Sequence, residues 1–546
     1  MKGGKLIAQI LKAEEVEYLF CFPNNPLIDC AAEADIRTIL TRTERVAVNM
    51  ADGYARASSG MKIGIAAVQN GPGIENAFAG VAHAYADSSP ILLLPCADPH
   101  PQIGIFPNFQ ANRSYAEVTK WAEVLSFASR VPDMMRLAFT YLRLGQKGPV
   151  ILEVPREVVA EESGFDTLVY KPVREARSAA DPGQVKEAVD VLLAAKCPVI
   201  HAGQGVHYAQ AYEEMLALAE FLQIPAMTTM AGKSAFPENH PLSLGASGGT
   251  GTKAAAHFLK KADLILGIGC SFSKSPFATP LPEGPTLIQL THHERDVNKA
   301  YAVDHVLLGD AQLVLRQVMA ELRSRLGAEG RGENQDLQQE IAGIKNEWLN
   351  EWMPKLTSDE VPINPYRVIW DLMHTLDREN SIVSHESGNP RDQMVPFFES
   401  VVPHGYLGWG HTTQLGFSLG ACMGAKVAMP QRTVVTVMGD AAFGMVGMDF
   451  ETAVRERIPI LVLLLDNGCL GGYSKHIPVA SAKYGSRFLS GDYAKVAEGL
   501  GGYAERVEGP GEIVPAIRRA LAAMAEGQPA LLDVITKEEP IFSRYR

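Results

Sequence analysis

Gly439-Asp440 closes the apolar run TVVTVM (433–438), and Asp466-Asn467 closes the next one, ILVLLL (460–465). Continuous apolar runs of this length read as strands buried on both faces of a parallel sheet. Between them MDFETAVRER (448–457) suits a helix that Pro459 stops. A strand-helix-strand unit with a right-handed crossover brings Asp440 and Asn467 to one carboxyl edge of the sheet, where open α/β folds bind ligands. An Asp carboxylate, an Asn amide oxygen and one backbone carbonyl, that of Cys469, form half of a hard-oxygen shell. Mg2+ favours such ligands and completes its octahedron with water and phosphate oxygens, so the open half would face a diphosphate. Taken singly, Gly-Asp only turns the chain and Asn467 only ends a strand; it is the pair that suggests a site.

The arrangement Gly-Asp at 439–440 and Asn at 467 resembles the diphosphate and magnesium motif of thiamine-diphosphate (ThDP) enzymes, specifically the decarboxylase and acetolactate synthase superfamily. TRTERVAVNMADGYARASSG (41–60) and QNGPGIENAFAGVAHAYADSSPILLLPC (69–96) are similar to the pyrimidine-binding domain of acetolactate synthases. The resemblance spans essentially the whole chain. It implies ThDP and Mg2+ as cofactors, with Asp440, Asn467 and the Cys469 carbonyl as metal ligands and the Gly439–Ala442 turn at the diphosphate. It also implies a catalytic glutamate at Glu44, which would hold a proton on the aminopyrimidine ring nitrogen so that the cofactor acts as its own base. From the residues alone, Glu44 begins a helix after the strand IRTIL (36–40); burial against a neighbour fits the family role, and an exposed acid favoured by the helix dipole is the other reading.

The same resemblance places Met445 beneath the cofactor, though Met there also suits a core. It makes Thr413 and Leu415 backbone contacts to the pyrimidine amine, and puts Gln110 and Lys120 near the substrate. Gly73 and Asn76 belong to the NGPG turn shaping the pocket, or to a bare turn. His83, His100 and His411 read as proton shuttles or as ordinary hydrogen-bonded histidines, His411 being the one assigned to catalysis.

Several positions depart from the family. Ala441 replaces the usual Gly, Asp466 the first Asn of the Asn-Asn pair, Thr43 a common His, and FPNNP (22–26) a glycine-rich turn. No Trp occurs in LGGYSKHIPVASAKYGSR (470–487), where acetolactate synthases that choose larger 2-oxo acids carry one. DAAFGMVGMDFET is similar to the matching string of oxalyl-CoA decarboxylases and 2-hydroxyacyl-CoA lyases. Against a CoA ester, little chain follows the last strand to close over it; Ser543, Arg544 and Arg546 would bind a carboxylate or phosphate, or form a frayed end. LIQLTHHERD (287–296) stands where FAD-binding relatives carry an acidic pair, so FAD is expected to be absent.

Elements that hold these residues follow from length and pattern. A chain of 546 residues exceeds one core and predicts three domains or four. Alternating helical and short apolar segments predict an α/β protein of three doubly wound domains with parallel sheets: a pyrimidine-binding domain at 1–165, a central domain at 184–325 and a diphosphate-binding domain at 361–546. The polar stretch 326–365 reads as a loop and a solvent-exposed helix. A net charge of −12 without a Lys/Arg block disfavours nucleic acid. Seven scattered cysteines without a C-x-x-C pair fit a reducing cytoplasm, and no run approaches the ~20 apolar residues that cross a bilayer. The expected activity is C–C lysis or carboligation on a small 2-oxo acid, with an acyl-CoA substrate as alternative. A catalytically silent ThDP-binding paralogue and a Mg2+-dependent phosphate hydrolase are the readings of other classes. The family resemblance implies a homodimer or homotetramer whose sites are shared between subunits.

Overall fold

Buried apolar strands form three six-stranded sheets in the computed structural model, which describes residues 1–545; every pairing between named strands is parallel. Arg546 lies outside the described residues. The first sheet contains β1 (Tyr18–Cys21), β2 (Arg37–Leu40), β3 (Gly64–Val68), β4 (Ile91–Ala97), β5 (Trp121–Val124) and β6 (Val150–Pro155). The second contains β7 (Pro198–Ala202), β8 (Ala226–Thr228), β9 (Ser243–Ala246), β10 (Leu264–Ile268), β11 (Thr286–Thr291) and β12 (His305–Leu308). The third contains β13 (Ser381–His385), β14 (Tyr406–Leu407), β15 (Thr433–Gly439), β16 (Ile460–Asp466), β17 (Tyr503–Val507) and β18 (Ala530–Ile535).

First and third sheets share one strand order, β2-β1-β3-β4-β6-β5 and β14-β13-β15-β16-β18-β17. The central sheet runs β12-β11-β10-β7-β8-β9, the doubly wound order 3-2-1-4-5-6 taken backwards. In each sheet the direction of winding reverses beside the first strand, and loops at the carboxyl edge there are free to line a crevice.

Six helices matter for the site: α1 (Glu44–Ala57), α2 (Pro72–Ala86), α3 (Gln335–Leu356), α4 (Phe417–Ala428), α5 (Asp440–Val446) and α6 (Phe450–Glu456). Helices α1 and α4 are sealed within one apolar core that joins the first and third sheets and includes Val46, Met50, Ala421 and Phe443. Glycines permit the approach. A Cβ on Gly53 would lie 2.0 Å from the Ala421 carbonyl oxygen, and one on Gly424 2.0 Å from that of Met50.

Helix α3 corrects one expectation. It is not wholly solvent-exposed, because Ile341, Trp348, Trp352 and Leu356 are buried and the two Trp rings pack on Phe397. A buried ion pair then fastens the central domain to the third: Lys233 Nζ lies 2.5 Å from Glu238 Oε1, and Glu238 Oε2 accepts from the Ser400 amide at 2.7 Å. No described helix is long and apolar enough to cross a membrane.

Candidate functional site

Thr43, extended and placed just before α1, caps it by accepting from the Val46 amide at 3.4 Å. Glu44 is therefore the first helical residue, where its side chain projects from the carboxyl edge of the first sheet. It is 4% exposed. Asn76, in the first turns of α2, donates through Nδ2 to Glu44 Oε2 at 3.3 Å. Gly73 leaves the other oxygen clear: a Cβ there would sit 3.1 Å from Glu44 Oε1 and 2.4 Å from Gln69 Cγ. The structure thus brings together Glu44, Gly73 and Asn76. Gln110 belongs to the same edge, heading the short helix Ala111–Ser114, whose Asn112 amide donates to Glu153 beside the end of β6.

Across the molecule, β15 and β16 run in register from Val434↔Ile460 to Gly439↔Leu465, so Asp440 follows directly beside Asp466. Gly439 caps α5, and Asp440, Ala441 and Ala442 form its first turn. Asp440 Oδ1 accepts from the Ala441 amide at 2.8 Å, whereas its buried Oδ2 has no partner. Burial, reinforced by the adjacent Asp466 carboxylate, pushes the Asp440 carboxyl up to about 7. Asn467 Oδ1 accepts from the Cys469 amide at 3.1 Å. An orphaned carboxylate oxygen next to an amide oxygen and a turn of backbone carbonyls suits a hard divalent cation. Among the described residues no cluster of three His, Cys, Asp or Glu side chains is placed to hold a metal; the residues present fit Mg2+ as half a shell, with phosphate and water oxygens as the remainder. Met445, 58% exposed, stands on the open face of α5.

Thr413 and Leu415 lie on the loop before α4, where the Thr413 carbonyl accepts from Ser387 Oγ at 3.2 Å. The far end of α2 holds this loop. His83 Nδ1 is hydrogen-bonded to Thr412 Oγ1 at 2.7 Å, and Asp87 Oδ1 lies 3.2 Å from both the backbone amide and Nδ1 of His411. Asp87 is anchored by Arg56 Nη1 at 3.0 Å. Its hydrogen bond raises the His411 imidazole above the ordinary histidine range, while burial pushes His83 down to about 4 and keeps it neutral. His411 Nε2 is 3.3 Å from Ser273 Oγ, at the wall of a cavity of about 240 Å3 between the domains. Gly203 and Gly269, which follow β7 and β10, line the same cavity.

Lys120 and His100 are not brought to Glu44. Lys120 Nζ donates to the carbonyls of Tyr141, Leu144 and Gln146, which saturates the ammonium near the amino edge of the first sheet. His100 Nδ1 pairs with Glu157 Oε1 at 2.9 Å. Ser543 is buried, its hydroxyl donating to the Gly251 carbonyl, and Arg544 pairs with Asp392 at 3.3 Å. Neither belongs to a frayed end.

Beside the expected residues stand four buried acids, of which only Asp466 is singled out by the sequence. Asp466 adjoins Asp440. Asp533 on β18 is held at about 6, raised by burial and by Asp466. Glu386 follows β13 and is pushed up to about 7 by burial, against hydrogen bonds from Ser387 and Ser418. Asp449 reaches from the third domain to Arg42 and Thr43 in the first. Asp466 and Glu386 share a signal, an acid at or just after the carboxyl end of a strand, whereas Asp533 lies within β18 and Asp449 in a turn between helices.

Comparison with known proteins matches three family models in order: thiamine pyrophosphate enzyme, N-terminal TPP binding domain, at 1–118; central domain, at 185–318; and C-terminal TPP binding domain, at 386–534. A probable acetolactate synthase large subunit of Methanocaldococcus jannaschii is 33% identical, over 98% of this chain and 92% of its own. A glyoxylate carboligase of Escherichia coli O157:H7 is 28% identical over 98% and 93% respectively.

Proposed function

The chain belongs to the thiamine pyrophosphate enzyme family, and from that premise we propose that it is a ThDP- and Mg2+-dependent C–C lyase or carboligase acting on a small 2-oxo acid. Decarboxylation would be followed by transfer of the acyl unit to an acceptor. The observation that carries this reading is the pairing of a buried Glu44, aimed by Asn76, with a buried Asp440 whose Oδ2 has no partner. When bound, the cofactor supplies an electron sink for the carbon whose bond is broken.

Glu44 would hold a proton at the ring nitrogen of the pyrimidine, and Gly73 leaves space for the ring to approach. Thr413 and Leu415 would meet its amine through their backbones, and Met445 would support the cofactor from below. Gly439, Ala441 and Ala442 expose backbone at the start of α5 to the diphosphate, while Asp440, Asn467 and the Cys469 carbonyl would ligate Mg2+. Gln110 and His411 are assigned to the substrate side, His411 as the proton carrier that Asp87 orients. FAD is left out of this reading because LIQLTHHERD (287–296) stands where FAD-binding relatives carry an acidic pair.

Shared active sites are supported by the geometry of α2. About 10 Å of its axis separates Asn76, which meets Glu44, from His83, which meets Thr412. Glu44 and the Thr413–Leu415 loop of one chain therefore face different places, and the exposed Met445 awaits a cover. On this reading the protein is therefore taken as a cytoplasmic homodimer or homotetramer.

The string DAAFGMVGMDFET favours a second reading within the same chemistry, a 2-hydroxyacyl-CoA lyase or oxalyl-CoA decarboxylase. Product analysis on free 2-oxo acids and on acyl-CoAs, with ThDP and Mg2+, decides between them. Release of CO2 from a free acid, lost in Glu44→Gln, is the expected result. Turnover of CoA esters alone would replace the first reading by the second, and no turnover of either would favour the silent paralogue.

A further inference from the structure

Asp449 closes the short turn between α5 and α6 and is 1% exposed. Its carboxylate spends most of its capacity on the first domain. Oδ1 accepts from the Arg42 amide at 2.7 Å and from Thr452 Oγ1 at 3.1 Å, and Oδ2 accepts from Thr43 Oγ1 at 3.1 Å. Because the Thr43 hydroxyl hydrogen is directed at Asp449, a lone pair of the same oxygen is left facing the Val46 amide, the capping bond of α1. Glu44 is the next residue.

Other contacts bind the same segment to α6. Arg37 pairs with Glu456 at 3.2 Å, Arg42 with Glu451 at 3.5 Å, and Arg455 Nη2 donates to the Leu40 carbonyl at 2.5 Å. These are partly exposed and screened by solvent, so each holds the segment weakly. Asp449 is buried, and hydrogen bonds to a buried carboxylate are the short, strong and directional kind. Its one carboxylate holds both residues that set the direction in which α1 starts, the Arg42 amide and the Thr43 hydroxyl.

We propose that Asp449 is a positioning residue: by fixing Arg42 and the capping hydroxyl of Thr43 it holds the first turn of α1, and with it the Glu44 carboxyl, where the cofactor ring must meet it. The proposal rests on the reading of Glu44 as the proton partner of ThDP. Under that reading Glu44 and Asp440 of one chain serve different sites of a dimer, and Asp449, joined to Asp440 through α5, ties the two sites together.

The test uses the dimeric protein loaded with ThDP and Mg2+. Three quantities are measured: cofactor affinity by calorimetry, hydrogen/deuterium exchange at C2 of the bound cofactor, and the pH dependence of the circular-dichroism signal of the aminopyrimidine. Asp449→Ala is expected to bind ThDP within about threefold of native while C2 exchange falls about a hundredfold, the usual cost of a displacement near 1 Å. The pH midpoint of the dichroism signal should move with it. Thr43→Val should behave likewise and Thr43→Ser, which keeps the hydroxyl, should return to native; this pair carries the test if Asp449→Ala does not fold. Exchange within threefold of native in Asp449→Ala and Thr43→Val, at full occupancy, would overturn the positioning role while leaving Glu44 in place. Exchange in Glu44→Gln as fast as in native protein would instead overturn the parent reading and this proposal together.

Discussion

Asp440 carries a conflict that the proposed Mg2+ would resolve. Its carboxyl rises from 3.8 to about 7 in the folded chain, so the folded state binds a proton that the unfolded state has released over that interval. The stabilising contribution is complete below about pH 4 and is lost as the pH rises through about 7. Mg2+ needs the carboxylate, so the sign reverses for binding: metal-dependent ThDP affinity, measured by calorimetry, should fall about tenfold per pH unit below 7 and level off above it. Asp440→Asn should abolish that pH dependence and weaken Mg2+-dependent ThDP binding, yet stabilise the cofactor-free protein at pH 8 by roughly 1–3 kcal/mol, because an unpartnered buried charge is removed; denaturant midpoints with and without ThDP and Mg2+ check both. The motif around Asp440 and Glu44 was legible because strand ends and following turns announce themselves by composition. Lys120 was misplaced because a family position carries no information about which carbonyls a long side chain will find.

At the scale of elements, β2, β3, β4, β6, β7, β8, β10, β11, β13, β15, β16 and β18 were all visible as apolar runs. The strands that sequence reading passed over are mostly edges, short and half-polar: β5, β9, β12, β14 and β17. β1 is masked because it follows the amphipathic helix Gly3–Ala13 after only a short break, at Glu15 with φ 65°. The turn and helix at 447–456 were read as one helix, which hid Asp449. Nor does patterning show how closely α1 and α4 meet, since glycine on a helix looks like a weakness until another backbone lies against it. Gly53→Ala should cost about 3 kcal/mol or more by overpacking, whereas Gly444→Ala, facing open space, should stay within about 0.5 kcal/mol. Urea unfolding of the two variants measures the difference.

For the whole molecule, three α/β domains follow from chain length and the alternation of patterns. The identical strand order of the first and third sheets does not, because topology constrains which strands are buried rather than which apolar residues fill them. That likeness places a carboxyl-edge crevice on each domain, one with Glu44 and the other with Asp440, and in the proposed function each would supply half of a cofactor site. In the proposed shared site the Glu44 of one subunit meets the Asp440 of another. Complementation tests this most directly. Subunits carrying Glu44→Gln and subunits carrying Asp440→Ala are co-expressed, and C2 exchange of ThDP is measured in the mixture with Mg2+ present. Either variant alone should be silent, while the mixed dimer has one intact site, so a statistical mixture should recover about a quarter of native exchange. A mixture as silent as its parents would contradict the shared site and the joint action of Glu44 and Asp440.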